Sequence, residues 1–151
     1  MKKAILVYGD KYENEATKVA LILQKWDYEC LPMNLSEQQK EAYKRLAQDD
    51  FDLLVTFDMA GFEKGTETGA LFYNLLSCKT IHLLYGDKQA YARYLSNKLS
   101  LAMLFFLLGK EEDAQKMKEK YPGIYYIKAF PDDIDREIIV QTAFAEVERK
   151  D

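Results

Sequence analysis

Phe51-Asp52-Leu53-Leu54-Val55-Thr56-Phe57-Asp58 is the stretch on which the reading of the fold turns. Residues 51–57 form a dense run of apolar and β-branched side chains, too short for a helix and rich in strand formers. The chain leaves this strand through Asp58-Met59-Ala60-Gly61 and enters a polar loop, 61–69, that carries Gly61, Thr66, Thr68 and Gly69. A strand whose carboxyl end opens into such a loop is the repeating unit of an α/β domain.

The same alternation extends in both directions. Upstream, residues 3–8 are nearly continuous in apolar character, as in a strand covered on both faces. Ala16, Val19, Ala20, Leu23 and Trp26 then recur at steps of three and four, the stripe of an amphipathic helix. Residues 28–33 read as a second strand. Ser36-Glu37-Gln38-Gln39 reads as a capping box, opening a helix with Ala42, Tyr43, Leu46 and Ala47 on one face. Downstream, a short helix is expected over 70–76, a strand over 80–85, a turn at Gly86-Asp87 and a helix over 91–98.

Residues 101–108 fit a strand or a helix by pattern, and their length and the stop at Gly109 favour a strand. A charged helix over 111–121 has Ala114, Met117 and Tyr121 as its apolar points and ends at Pro122-Gly123. A last strand follows over 124–130. Pro131-Asp132-Asp133 is expected to start a terminal helix, since proline suits the first turn and carboxylates favour the dipole there. Parallel strands need crossovers, so this order predicts a single α/β domain over 1–151. Its form is a three-layer Rossmann-like or flavodoxin-like sandwich, a mostly parallel sheet of five to six strands with helices on both faces.

Composition narrows the function classes. At 151 residues the chain fits one domain. With 48% apolar and 30% charged residues it has the composition of a globular core, not of a disordered chain. Its net charge of −4 gives no means of neutralising phosphates, so nucleic acid is not an expected partner. A membrane is not expected either: the run 101–108 is far short of the roughly 20 residues a spanning helix needs. The amino-terminal apolar run stops at Gly9-Asp10, too short for a signal peptide, and Cys30 and Cys78 form no CxxC unit. The expectation is a cytoplasmic protein with reduced thiols, with its cofactor and its small-molecule or protein partner unassigned and a homo-oligomer left open.

In an open parallel sheet, ligands bind beyond the carboxyl ends of the strands, where the strand order reverses. The candidate ligand-binding residues are therefore Gly9 and Asp10 after the first strand, Asp58, Gly61, Thr66, Thr68 and Gly69 after the third, and Asn74 in the helix that follows. Gly9 would admit a ligand to the backbone; the alternative is a plain β–α turn with no dinucleotide or Walker signature. Asp58 could hold a metal, a ribose hydroxyl or a proton in transit, while Thr66, Thr68 and the amides around Gly69 could hold an anion or a sugar hydroxyl. The alternative is a capped helix start with solvated acids. Ordered loops about a dozen residues long are uncommon and are often functional. His82, the single histidine, lies inside a strand without a cysteine or histidine nearby, and reads as a packed or hydrogen-bonded core group. No metal site and no catalytic set is assigned.

Two resemblances follow from these residues. Phe51 to Asp58, Cys78-Lys79-Thr80-Ile81-His82-Leu83-Leu84, the run 101–108, the charged helix 111–121 and the stretch 124–131 together resemble the amino-terminal domain of bacterial GT-B glycosyltransferases of the spore-maturation type. That resemblance covers about half the chain and implies a stand-alone Rossmann-like domain binding a sugar- or nucleotide-like ligand or a protein partner. Asp10, Asp58 and Ile127-Lys128-Ala129-Phe130 are similar to the acidic and lysine positions of response-regulator receiver domains. This second resemblance implies Asp58 as phosphoryl acceptor, Asp10 as metal ligand and Lys128 as phosphate sensor. A small enzyme using Asp58 and the loop 61–69 is the third alternative.

Overall fold

In the computed structural model, residues 1–63 and 72–149 are described. Six strands form one sheet: β1 (Lys2–Tyr8), β2 (Tyr28–Asn34), β3 (Leu53–Phe57), β4 (Lys79–Leu84), β5 (Met103–Leu108) and β6 (Tyr126–Phe130). Their order is β2-β1-β3-β4-β5-β6, and every pair is parallel. This is the flavodoxin-like order with a sixth strand added at one edge. The run 101–108 is a strand over its last six residues, as its length and the Gly109 stop predict.

Residue alternation divides the core in two. Leu53, Val55, Phe57, Ile81, Leu83 and Phe106 face one side, where α1 (Glu13–Lys25) and α5 (Arg136–Glu148) bring Ala16, Val19, Leu23, Ile139, Ala143 and Phe144. Leu54, Leu84, Phe105 and Leu107 face the other, covered by Ala42 and Leu46 of α2 (Leu35–Gln48), Leu95 of α3 (Ala92–Leu95), and Ala114 and Met117 of α4 (Glu111–Lys120). Both faces are packed, which is why the inner strands read as nearly continuous apolar runs rather than alternating ones.

Several helix starts differ from the pattern-based expectation, each for a hydrogen-bonding reason. The α2 cap is Asn34, whose side chain accepts the Ser36 N–H at 2.9 Å; the Ser36 hydroxyl instead accepts the Asp10 N–H at 3.2 Å. Pro131 does not open the terminal helix. Its carbonyl accepts from Ile134 in a turn, and Asp135 caps α5 by accepting the Glu137 N–H at 3.0 Å. The expected helix over 91–98 begins earlier, as a 3-10 turn (Lys88–Tyr91) capped by Asp87, and runs into the single turn of α3. In the segment after β3, the described part of the expected helix is a 3-10 turn (Phe72–Leu75).

Candidate functional site

The chain leaves β1 toward α1 on one face of the sheet. It leaves β3 toward Met59, Phe62 and Tyr73 on the other. Adjacent strands whose continuations part in this way open a crevice between them, and here that crevice is filled by side chains. Asp58 and Met59 adopt left-handed backbone (φ 57° and 65°), which turns the chain sharply off the end of β3. The Asp58 N–H donates to the Leu83 carbonyl at 2.8 Å. The Asp58 carboxylate accepts the Tyr12 hydroxyl at 3.0 Å on Oδ2, and the Gly86 N–H at 2.8 Å together with the Tyr91 hydroxyl on Oδ1. Burial, with the carboxylate adding to it, raises both phenols well above the ordinary tyrosine range, so both stay protonated and act as donors.

The donors lie within or just after a repeated tetrapeptide. Tyr8-Gly9-Asp10-Lys11 follows β1 and Tyr85-Gly86-Asp87-Lys88 follows β4. Each leads into a 3-10 turn, Asp10–Tyr12 and Lys88–Tyr91, whose last tyrosine bonds Asp58. Gly86 was expected at the turn after β4, whereas Tyr12 and Tyr91 were not singled out by their residue types. The repeat is the sequence signal that marks them.

The other expected ligand residues divide into separate arrangements. Asp10 accepts the Asn34 side-chain amide at 2.7 Å and gives its own N–H to Ser36, a closed ring that ties the ends of β1 and β2. Gly9 has extended backbone, and a Cβ there would meet only Ser36 Oγ at 3.7 Å, so nothing in the geometry demands glycine. Gly61 has a positive φ of 86°, and a Cβ would overlap Tyr73, whose buried hydroxyl donates to the Ala60 carbonyl at 3.0 Å. Thr66, Thr68 and Gly69 lie outside the described residues. Asn74 bridges the segment that precedes β5, donating to the Lys98 carbonyl at 2.7 Å and accepting from the Ser100 N–H at 2.8 Å. Lys128 sits on β6, three strands from β3, a lateral separation of about 14 Å at the usual strand spacing. The three residues of a receiver-type site are thus distributed over the sheet.

His82 is fully buried. Its Nδ1 pairs with the Thr56 hydroxyl at 2.6 Å and its Nε2 with the Thr80 hydroxyl at 2.8 Å, so both ring nitrogens are satisfied. Burial pulls its pKa down to about 3 and keeps it neutral. Cys30 and Cys78 are free, and burial pushes the Cys30 thiol up to about 11. Among the described residues, no three histidine, cysteine or carboxylate side chains gather as a metal site would require, and no helix is long and apolar enough to cross a membrane.

Open space lies beside this network, between α1 and the start of α5. A cleft of about 410 Å³ is lined by Lys18, Val19 and Ile22 of α1, by Tyr85 just beyond β4, and by Arg136 and Val140 of α5. Arg136 is held in place: Nη1 donates to the Asp132 and Ile134 carbonyls at 3.0 and 2.8 Å, and the guanidinium carbon lies 5.4 Å from the centre of the Tyr85 ring. The Tyr85 hydroxyl is buried and has no hydrogen-bond partner among the described residues. In comparisons with known proteins, the chain matches no family model, no curated protein and no solved structure.

Proposed function

We propose that this chain is a small-ligand-binding Rossmann-like domain that takes a sugar- or nucleotide-like molecule at the carboxyl edge of its sheet, and that it binds without using Asp58 as a reactive group. The observation that carries the reading is the α1/α5 cleft. Its volume of about 410 Å³ falls within the usual range for small-molecule sites, and its lining sets apolar side chains of α1 and α5 among charged ones, of which Arg136 is held in place. The resemblance to the amino-terminal half of GT-B glycosyltransferases supplies the ligand class. Binding is favoured over chemistry because the Asp58 carboxylate already accepts three donors, and a general base or phosphoryl acceptor would first have to shed them.

The test is the melting temperature of the purified protein with uridine diphosphate and with nucleotide sugars, read beside backbone amide NMR. A ligand that binds the native state raises stability by about 2.7 kcal/mol at a hundredfold excess over its dissociation constant. A rise in melting temperature with amide shifts along α1 and the first turn of α5 supports the reading. Shifts confined to other surfaces, or none with any of these compounds, overturn it.

A further inference from the structure

We infer that the α1/α5 cleft is an oxyanion seat: Arg136 and Tyr85 receive the carboxylate or phosphate monoester group of a small ligand whose apolar body lies along Val19, Ile22 and Val140. This rests on the ligand-binding reading and names the chemistry that the cleft selects.

Arg136 is the first observation. Both N–H bonds of Nη1 are committed to the Asp132 and Ile134 carbonyls, which fixes the guanidinium plane. Nε and Nη2 remain, and together they form the side-on fork that matches the two oxygens of a carboxylate or phosphate. No ion pair engages Arg136 among the described residues, whose salt bridges involve Lys2, Arg45, Lys88 and Arg149. An arginine already ordered by its own backbone gives up little side-chain entropy when an anion arrives.

Tyr85 is the second observation. Its hydroxyl is the one buried side-chain polar atom without a partner among the described residues. An unmet buried hydroxyl is destabilising, a cost that phenylalanine would avoid while keeping the ring contacts with Phe57 and Tyr12. The Arg136 guanidinium lies over the same ring, and both residues line the cleft. The nearby carboxylates are partly committed: Asp135 caps α5, and Glu137 accepts the Gln141 amide at 3.3 Å. Glu15 lines the cleft together with Lys18 and Lys25 of the same helix.

The experiment uses the full chain and three probes of similar shape: phenyl phosphate, 3-phenylpropionate and the neutral 3-phenylpropionamide, followed by backbone amide NMR. At least one anion is expected to shift the amides of α1, Tyr85 and the first turn of α5, and to bind about tenfold more tightly than the amide probe. Which anion does so separates a phosphate ligand from a carboxylate. Arg136→Lys, which keeps the charge and loses the fork, is expected to remove most of that preference. Tyr85→Phe is expected to weaken the anion about three- to tenfold without lowering the melting temperature. Equal binding of the amide probe at the same amides, or an unchanged preference in folded Arg136→Lys, overturns the oxyanion seat and leaves ligand binding standing. Silence at these amides with all three probes, with uridine diphosphate and with nucleotide sugars overturns both.

Discussion

Asp58 and Gly86 are matched across the ends of β3 and β4: the carboxylate accepts the Gly86 N–H at 2.8 Å, and a Cβ on residue 86 would overlap that same carboxylate. Gly86 does not have a positive φ, so the need for glycine there is one of space rather than of backbone conformation. Gly86→Ala is therefore expected to destabilise the domain by about 1–3 kcal/mol, the range for forcing atoms into a filled site. Asp58→Ala removes the atoms in the way. Urea unfolding of both single variants and the double variant should show the double falling well short of additive, whereas additivity would mean that the two residues do not meet.

The two tyrosines that close on Asp58 should differ in weight. Each donates to a carboxylate, an interaction worth about 1.5–3 kcal/mol. Tyr91 is 2% exposed and Tyr12 9%, and the Asp58 oxygen that Tyr91 meets also takes the Gly86 amide. Tyr91→Phe is expected to lower unfolding free energy more than Tyr12→Phe. An equal or reversed ranking in urea melts would place the weight of the network on the β1 side instead.

Much of the fold was legible because both faces of the sheet are covered. Dense apolar runs marked the inner strands, and residues 101–108 were decided by length and Gly109. Helix starts were less legible because several residues competed for each cap. Asn34 outcompeted Ser36, and Asp135 outcompeted Pro131, choices made by which side chain reaches an open N–H in three dimensions. At the site, sequence position located Asp58 at the end of β3 but could not reveal that its acceptor capacity is spent. Tyr12 and Tyr91 lie 46 and 33 residues away and meet it only after the sheet forms. Asp10 and Asn74 are likewise engaged by partners 24 to 26 residues distant. Arg136 carried no signal in composition or motif, since its interest lies in backbone carbonyls that orient it.

His82 gives the domain a predictable acid response. Its folded-state pKa is near 3 against about 6.5 in the unfolded chain, because burial disfavours the charged ring. Between those values the unfolded state binds the proton and the folded state does not, so stability from this group is full above about pH 6.5 and is lost as pH falls. Linkage gives a loss of about 2 kcal/mol between roughly pH 6.5 and 4.5. His82→Gln retains a donor and an acceptor for Thr56 and Thr80 but does not titrate. Urea unfolding at the two pH values should show a larger decline for the wild type than for the variant, and imidazole NMR of the folded protein should show a neutral ring at both. Equal declines would mean that His82 charges within the fold.

Tyr85 tests the balance between stability and binding in the absence of any ligand. Its ring packs against Phe57 and Tyr12 and lies under Arg136, contacts that phenylalanine reproduces. Its hydroxyl makes no hydrogen bond among the described residues. Tyr85→Phe is therefore expected to leave the unfolding free energy unchanged or to raise it by about 1 kcal/mol, the reverse of the usual sign for a buried tyrosine. The paired measurement is the unfolding curve with and without the anionic probe. Ligand should stabilise the wild type more than the variant, so that the variant leads when free and loses that lead when saturated. Such a crossing is the signature of a group kept for binding at the expense of the free protein. A variant that is less stable both free and bound would instead make the hydroxyl a structural one, satisfied by water within the fold.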